Sequence, residues 1–160
     1  MPLASAAIFA GTLFATAQPA LADDQITLKA GTGCPNFALR LQGTGGNLQT
    51  KDFYDKKGDK VKTITAGKGV LLTYTNVKTG KSISFDTSGS VTKTTYNPDG
   101  TYTVNASGHN GLVLFPTDVP AGPTTTQYIG SFVYTVDPST GVFTLISTSG
   151  QAVDVCAALR

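Results

Sequence analysis

From Gln25 onward, apolar and polar residues alternate in short runs, broken by turn residues roughly every eight to twelve positions. Val70, Leu72 and Tyr74 alternate with Leu71, Thr73 and Thr75, and Ile83 and Phe85 alternate with Ser82, Ser84 and Asp86. A period of two puts successive side chains on opposite faces of a strand. Between these two runs, Asn76-Val77-Lys78-Thr79-Gly80-Lys81 reads as a hairpin loop with Gly80 at a left-handed position. Asn97-Pro98-Asp99-Gly100 has Pro second and Gly fourth, which suits a type I turn between the run ending at Tyr96 and the run Thr101–Ala106. A third hairpin joins Tyr128–Val136 to Val142–Thr148 through Asp137-Pro138-Ser139-Thr140-Gly141. No window after Ala22 holds an apolar i, i+3, i+4, i+7 pattern long enough for a helix. The pattern predicts an all-β domain: an antiparallel, meandering β-barrel or a barrel-like β-sandwich, with about 10–12 short strands by this spacing.

Composition narrows the reading. Thr occurs 25 times, mostly inside the alternating runs, where its branched Cβ suits a pleated strand. All ten acidic residues are Asp, a turn and cap former, and the good helix former Glu is missing. A net charge of +2, with Arg only at positions 40 and 160, is too small to suggest a nucleic-acid partner, which needs clustered Lys and Arg. The most charged stretch, Lys51–Lys62, holds five Lys against three Asp. It reads as a solvated hairpin whose lysines guard an edge strand; contact with an acidic polymer or cell wall is the alternative.

Residues 3–17 are uncharged and rich in Ala, Leu, Ile and Phe, and Gln18-Pro19-Ala20-Leu21-Ala22 precedes Asp23-Asp24. Ala20-x-Ala22 after a Pro is a signal-peptidase pattern, so residues 1–22 are expected to be a signal peptide and residues 23–160 the secreted domain. No basic n-region follows Met1, which points to a start further upstream or a truncated chain. Gly31-Thr32-Gly33-Cys34 lacks the apolar residue of a lipobox, so no membrane anchor is expected after processing. Cys34 and Cys156, the only cysteines, then read as one disulfide joining the two ends of the domain. A metal site is not expected with a single His, and no cofactor motif is present.

Few residues carry candidate chemistry. His109 lies in Ser107-Gly108-His109-Asn110-Gly111, read as a flexible loop, close before a Pro-rich loop, Phe115–Pro123, that holds Asp118. The two would make a general-base pair if their loops met. The structural alternative has His109 capping its own turn and Asp118 starting the turn before Pro120. There is no G-x-S-x-G elbow, and Gly43-Thr44-Gly45-Gly46 lacks the Lys and following helix of a phosphate loop. Tyr128, Phe132 and Tyr134 fall on one strand face, with Phe143 on the partner run. They form a core or, with Tyr128 and Tyr134 as fixed polar points, the lining of a ligand cavity. Asn105-Ala106-Ser107 is a formal glycosylation sequon.

Gly108-His109-Asn110, the run Phe115–Pro123 and the end Val153-Asp154-Val155-Cys156 resemble uncharacterised secreted β-proteins of actinobacteria. The resemblance implies export from a Gram-positive cell and carries no activity with it. No Trp is present, so the lipocalin pattern near a first strand is missing and no lipocalin ligand is carried over. The expected role is extracellular binding or structural interaction, with a small molecule or a cell-envelope component as partner. The alternative is a hydrolase- or cyclase-type enzyme using His109 and Asp118 in a barrel-mouth pocket.

Overall fold

The computed structural model describes residues 24–160, so the expected signal peptide lies outside the described residues. Ten strands follow one another: β1 (Asp24–Leu28), β2 (Leu39–Thr44), β3 (Asn47–Tyr54), β4 (Lys60–Lys68), β5 (Leu71–Asn76), β6 (Ser82–Asp86), β7 (Val91–Tyr96), β8 (Tyr102–Leu114), β9 (Thr124–Asp137) and β10 (Val142–Asp154). A single helical turn, α1 (Val155–Ala158), ends the chain, its first turn capped by Asp154, whose carboxylate accepts from Ala157 N–H at 2.9 Å. The strands form two antiparallel sheets, ordered β1-β2-β5-β6 and β10-β9-β8-β7-β4-β3. Of the two expected architectures the barrel-like sandwich is the one formed, because neither strand order closes on itself. All three hairpin loops form as the turn residues predict, with Gly80, Gly100 and Gly141 at positive φ.

Two expectations need correction. The chain does not meander throughout: it crosses between sheets after β2, β4 and β6, so β4 pairs with β7 across an intervening hairpin. The last three strands are also not short, at 13, 14 and 13 residues. Their length hides a fold. Gly108, Gly130 and Gly150 stand in register across β8, β9 and β10, all at positive φ. A Cβ on Gly130 would overlap the Ser149 carbonyl, and one on Gly150 the Ile129 carbonyl, so only glycine lets the three backbones come this close.

The bend at this line follows from chain reach. Val119 sits on the outer edge of β10: its N–H donates to the Phe143 carbonyl at 2.8 Å, and its carbonyl accepts from Leu145 N–H at 2.7 Å. Its bridge partner Thr144 lies opposite Thr135, which lies opposite Thr103. On a straight β8, Leu114 would be about 36 Å beyond Thr103. The five residues from Leu114 to Val119 span at most about 18 Å. The three strands must therefore fold over between the Thr103 row and Leu114, the stretch in which the three positive-φ glycines stand in register.

Two cores result. One lies between the sheets and joins Leu39 and Leu41 of β2 and Leu72 and Tyr74 of β5 to Val113, α1 and the disulfide. The other lies inside the fold of the long strands and joins Val104, Ala106, Leu112 and Leu114 of β8 to Tyr128, Phe132, Tyr134 and Phe143. Cys34 and Cys156 are bonded, with Cα atoms 5.5 Å apart and a sequence separation of 122, as expected. Thr125 reinforces the tie by donating to the Gly33 carbonyl at 2.8 Å, and Asn76 Nδ2 donates to the Leu159 carbonyl at 3.0 Å.

Candidate functional site

The segment 107–111, expected to be a loop, is continuous strand in the middle of β8. Gly108 there bends the strand instead of opening a turn, and a single sequence cannot distinguish the two uses of a glycine. His109 is half-buried. Its backbone N–H donates to Ser90 Oγ at 2.9 Å, Ser90 Oγ donates back to its carbonyl at 2.9 Å, and Nδ1 lies 2.8 Å from the Asp86 carbonyl. Asp118 is buried, with one carboxylate oxygen accepting from Phe115 N–H at 2.6 Å and the other from Phe143 N–H at 2.9 Å. Asp118 thus clamps the Pro-rich loop onto β10, and no hydrogen bond joins it to His109 among the described residues.

Tyr128 and Tyr134 are core residues of the folded sheet. Tyr128 packs on Phe132 with ring centroids 4.8 Å apart, and Tyr134 stacks on Phe143 at 5.2 Å. Burial pushes the Tyr134 phenol far above its ordinary value, and among the described residues its buried hydroxyl has no hydrogen-bond partner. The phenol of Tyr74, in the other core, is likewise pushed far up by burial, but it donates to Gln127 Oε1 at 2.9 Å. Gly111 makes room for that hydroxyl, since a Cβ there would overlap it.

Chemistry faces solvent elsewhere, on the wing made by β3, β4 and β7. Tyr54, at the end of β3, is 59% exposed and lies opposite Lys60 of β4. Tyr96, at the end of β7, is 37% exposed and lies opposite Tyr102 of β8, ring centroids 6.3 Å apart. Asp52, Thr63 and Lys60 fill the space between them. Thr63 Oγ1 donates to Asp52 Oδ1 at 2.5 Å, Lys60 Nζ donates to Asp52 Oδ2 at 3.2 Å, and Thr63 Oγ1 lies 3.2 Å from the Tyr96 hydroxyl. With the Thr63 proton committed to Asp52, the Tyr96 hydroxyl is the donor in that last contact. Lys60 Nζ also stands 5.5 Å from the centre of the Tyr96 ring. The Thr63 hydrogen bond, then Lys60, holds the Asp52 carboxyl below its ordinary range, and Asp52 in turn raises Lys60.

The result is a sheet face on which tyrosine rings flank a hydrogen-bonded carboxylate, ammonium and hydroxyl. The row continues inward through Tyr102, Val136 and Phe143, so its exposed rings are buttressed by the aromatic core. Sequence reasoning singled out Lys51–Lys62 for charge and passed over Tyr54 and Tyr96. Their meeting depends on the pairing of β4 with β7, which a sheet crossover produces and local alternation does not reveal. No family model matches the chain, and no curated protein or solved structure matches it.

Proposed function

We propose that this domain is an exported binding module whose ligand lies across the tyrosine face of the β3–β4–β7 wing and is a hydroxyl-rich, uncharged polymer of the polysaccharide class. The observation that carries the reading is the placement of exposed Tyr54 and Tyr96 on either side of the Asp52–Lys60 pair. Sugar rings offer an apolar C–H face that stacks on phenol rings and a rim of hydroxyls that need both donors and acceptors. Asp52 supplies acceptors, Lys60 supplies donors, and their charges cancel, so this face exerts little net field on an ionic ligand. Tyr54 and Tyr96 stand two strand spacings apart, about 10 Å, which suits an extended ligand lying across the strands.

Export is supported by the Ala20-x-Ala22 pattern and by the Cys34–Cys156 bond, which belongs to oxidising compartments. The resemblance to secreted actinobacterial proteins fits a Gram-positive envelope as the setting. Among the described residues no helix is long and apolar enough to cross a membrane. The alternative, an enzyme working through His109 and Asp118, has no support from the hydrogen bonds that engage Nδ1 and both carboxylate oxygens.

Affinity electrophoresis through gels containing neutral glucans, xylans or mannans tests the reading. Retardation by at least one of them is expected, weakened roughly tenfold or more by Tyr54→Ala or Tyr96→Ala. Because Asp52 keeps its charge below the ordinary carboxylate range, binding should hold steady through mild acid and decline only when that carboxylate takes up a proton. Unretarded migration in every gel, or retardation indifferent to both substitutions, would overturn it.

A further inference from the structure

The reverse face of the same wing carries a second set of residues. Lys51 of β3 and Lys93 of β7 stand in one row, each opposite Ile64 of β4. Lys62 of β4 stands in the next row, opposite Phe53 and Thr95. Lys51 and Lys62 both lie over the Phe53 ring, Nζ 5.3 and 4.5 Å from its centre. From strand spacing and rise, the three lysines form a triangle with sides of about 8–10 Å. That is close to one Debye length at physiological salt, about 8 Å, so their potentials still overlap and add more strongly as salt falls. Following the register across β3, β4, β7 and β8, no position on this face is acidic; Asp52 points to the other side.

Edge protection explains only part of this arrangement. Lysines blunt an edge strand against unwanted pairing, and β3 is an edge. Lys62 and Lys93 are on β4 and β7, which are paired on both sides and need no such guard. Three uncompensated ammonium groups within about a Debye length repel one another, a cost that an anionic ligand would relieve. We propose that Lys51, Lys62 and Lys93 form an anion-binding site for a carboxylate-bearing polysaccharide.

Three features select this occupant. The charge is complementary to a polyanion of evenly spaced carboxylates. The face holds three Lys and no Arg, which is fewer cations than a nucleic-acid surface gathers and leaves no guanidinium to read base edges. Its aromatic ring, Phe53, is covered by two ammonium groups and is not free to insert into a lipid surface. The site is separate from the tyrosine face, so either proposal can fail without the other.

The test uses polygalacturonate as the probe, in affinity gels across a range of NaCl concentrations, with anionic phosphatidylglycerol vesicles as a second arm. The wild-type domain should be retarded by polygalacturonate, with retardation falling steeply as salt rises. Lys51→Ser/Lys62→Ser/Lys93→Ser should weaken it at least tenfold, and Lys51→Arg/Lys62→Arg/Lys93→Arg should retain it, both with an unchanged melting temperature. Tyr54→Ala should leave this binding intact. No retardation of the wild type, equal retardation of the serine variant, or binding to vesicles but not to polygalacturonate would overturn the proposal.

Discussion

The core between the sheets is assembled from distant parts of the chain, whereas the core inside the folded strands comes almost entirely from one continuous stretch. The first brings together β1, β2, β5, the end of β8 and α1, and is fastened by a disulfide spanning 122 residues. The second uses only β8, β9 and β10, joined by consecutive hairpins, and has an aromatic stack in place of a covalent tie. Their polar content differs as well. Tyr74 in the first core has a hydrogen-bond partner for its hydroxyl; Tyr134 in the second has none among the described residues. Long-range assembly here goes with a covalent tie, while the local core is held by packing, by glycine and by the Asp118 carboxylate on the Phe143 backbone.

The comparison can be broken most forcefully at the disulfide. Replacing Cys34 and Cys156 by Ser should cost up to about 4–5 kcal/mol in the chain-entropy account of a loop this long. Urea denaturation gives the size of the loss. Hydrogen exchange should show β1, β2 and β5 losing protection before β8 and β9 do. If all strands loosened together, the two cores would be one cooperative unit.

At the glycine line the expected effect is smaller and falls on the other core. Gly130→Ala must hold a positive φ and push against the Ser149 carbonyl, for a cost of about 2–3 kcal/mol. Chemical denaturation should register that loss, with near-ultraviolet circular dichroism changing through Tyr134 and Phe132. An unaltered stability would mean the strands do not need this bend.

The smallest effect separates the two buried tyrosines. Tyr74→Phe strips Gln127 Oε1 of its donor and should destabilise by about 1–3 kcal/mol. Tyr134→Phe removes a buried hydroxyl that has no partner, so it should be neutral or stabilise by up to about 1 kcal/mol. Thermal melts of the two variants side by side would show the difference, and equal losses would refute it.

What the sequence made legible was local. Alternation in Val70–Thr75 and Ile83–Asp86, and the glycines at 80, 100 and 141, locate strands and hairpins, because pleating and turn geometry act over a few residues. The cysteine pair was readable because only two were available to bond. The crease was not: Gly108 next to His109 looks like a turn until Gly130 and Gly150 are seen in register with it. The tyrosine face was hidden for a related reason. Tyr54 and Tyr96 each occupy an ordinary exposed strand end, and only the β4–β7 pairing makes them neighbours of one carboxylate. His109 and Asp118 drew notice as the one imidazole and as a carboxylate among prolines. Their hydrogen bonds fasten neighbouring backbone instead.

The bond between Cys34 and Cys156 has a consequence for how the molecule withstands enzymatic damage. Proteases attack exposed loop tips, and the tips at Asp55–Asp59, Val77–Lys81 and Pro138–Gly141 all lie between the two cysteines. A cut at any of them opens the chain inside a covalent ring, so both fragments stay attached and the strands on either side keep their neighbours. A nicked domain would run intact on a non-reducing gel and fall into two pieces only when the bond is reduced. A single cleavage between the cysteines thus leaves the two pieces covalently joined and the sheets paired.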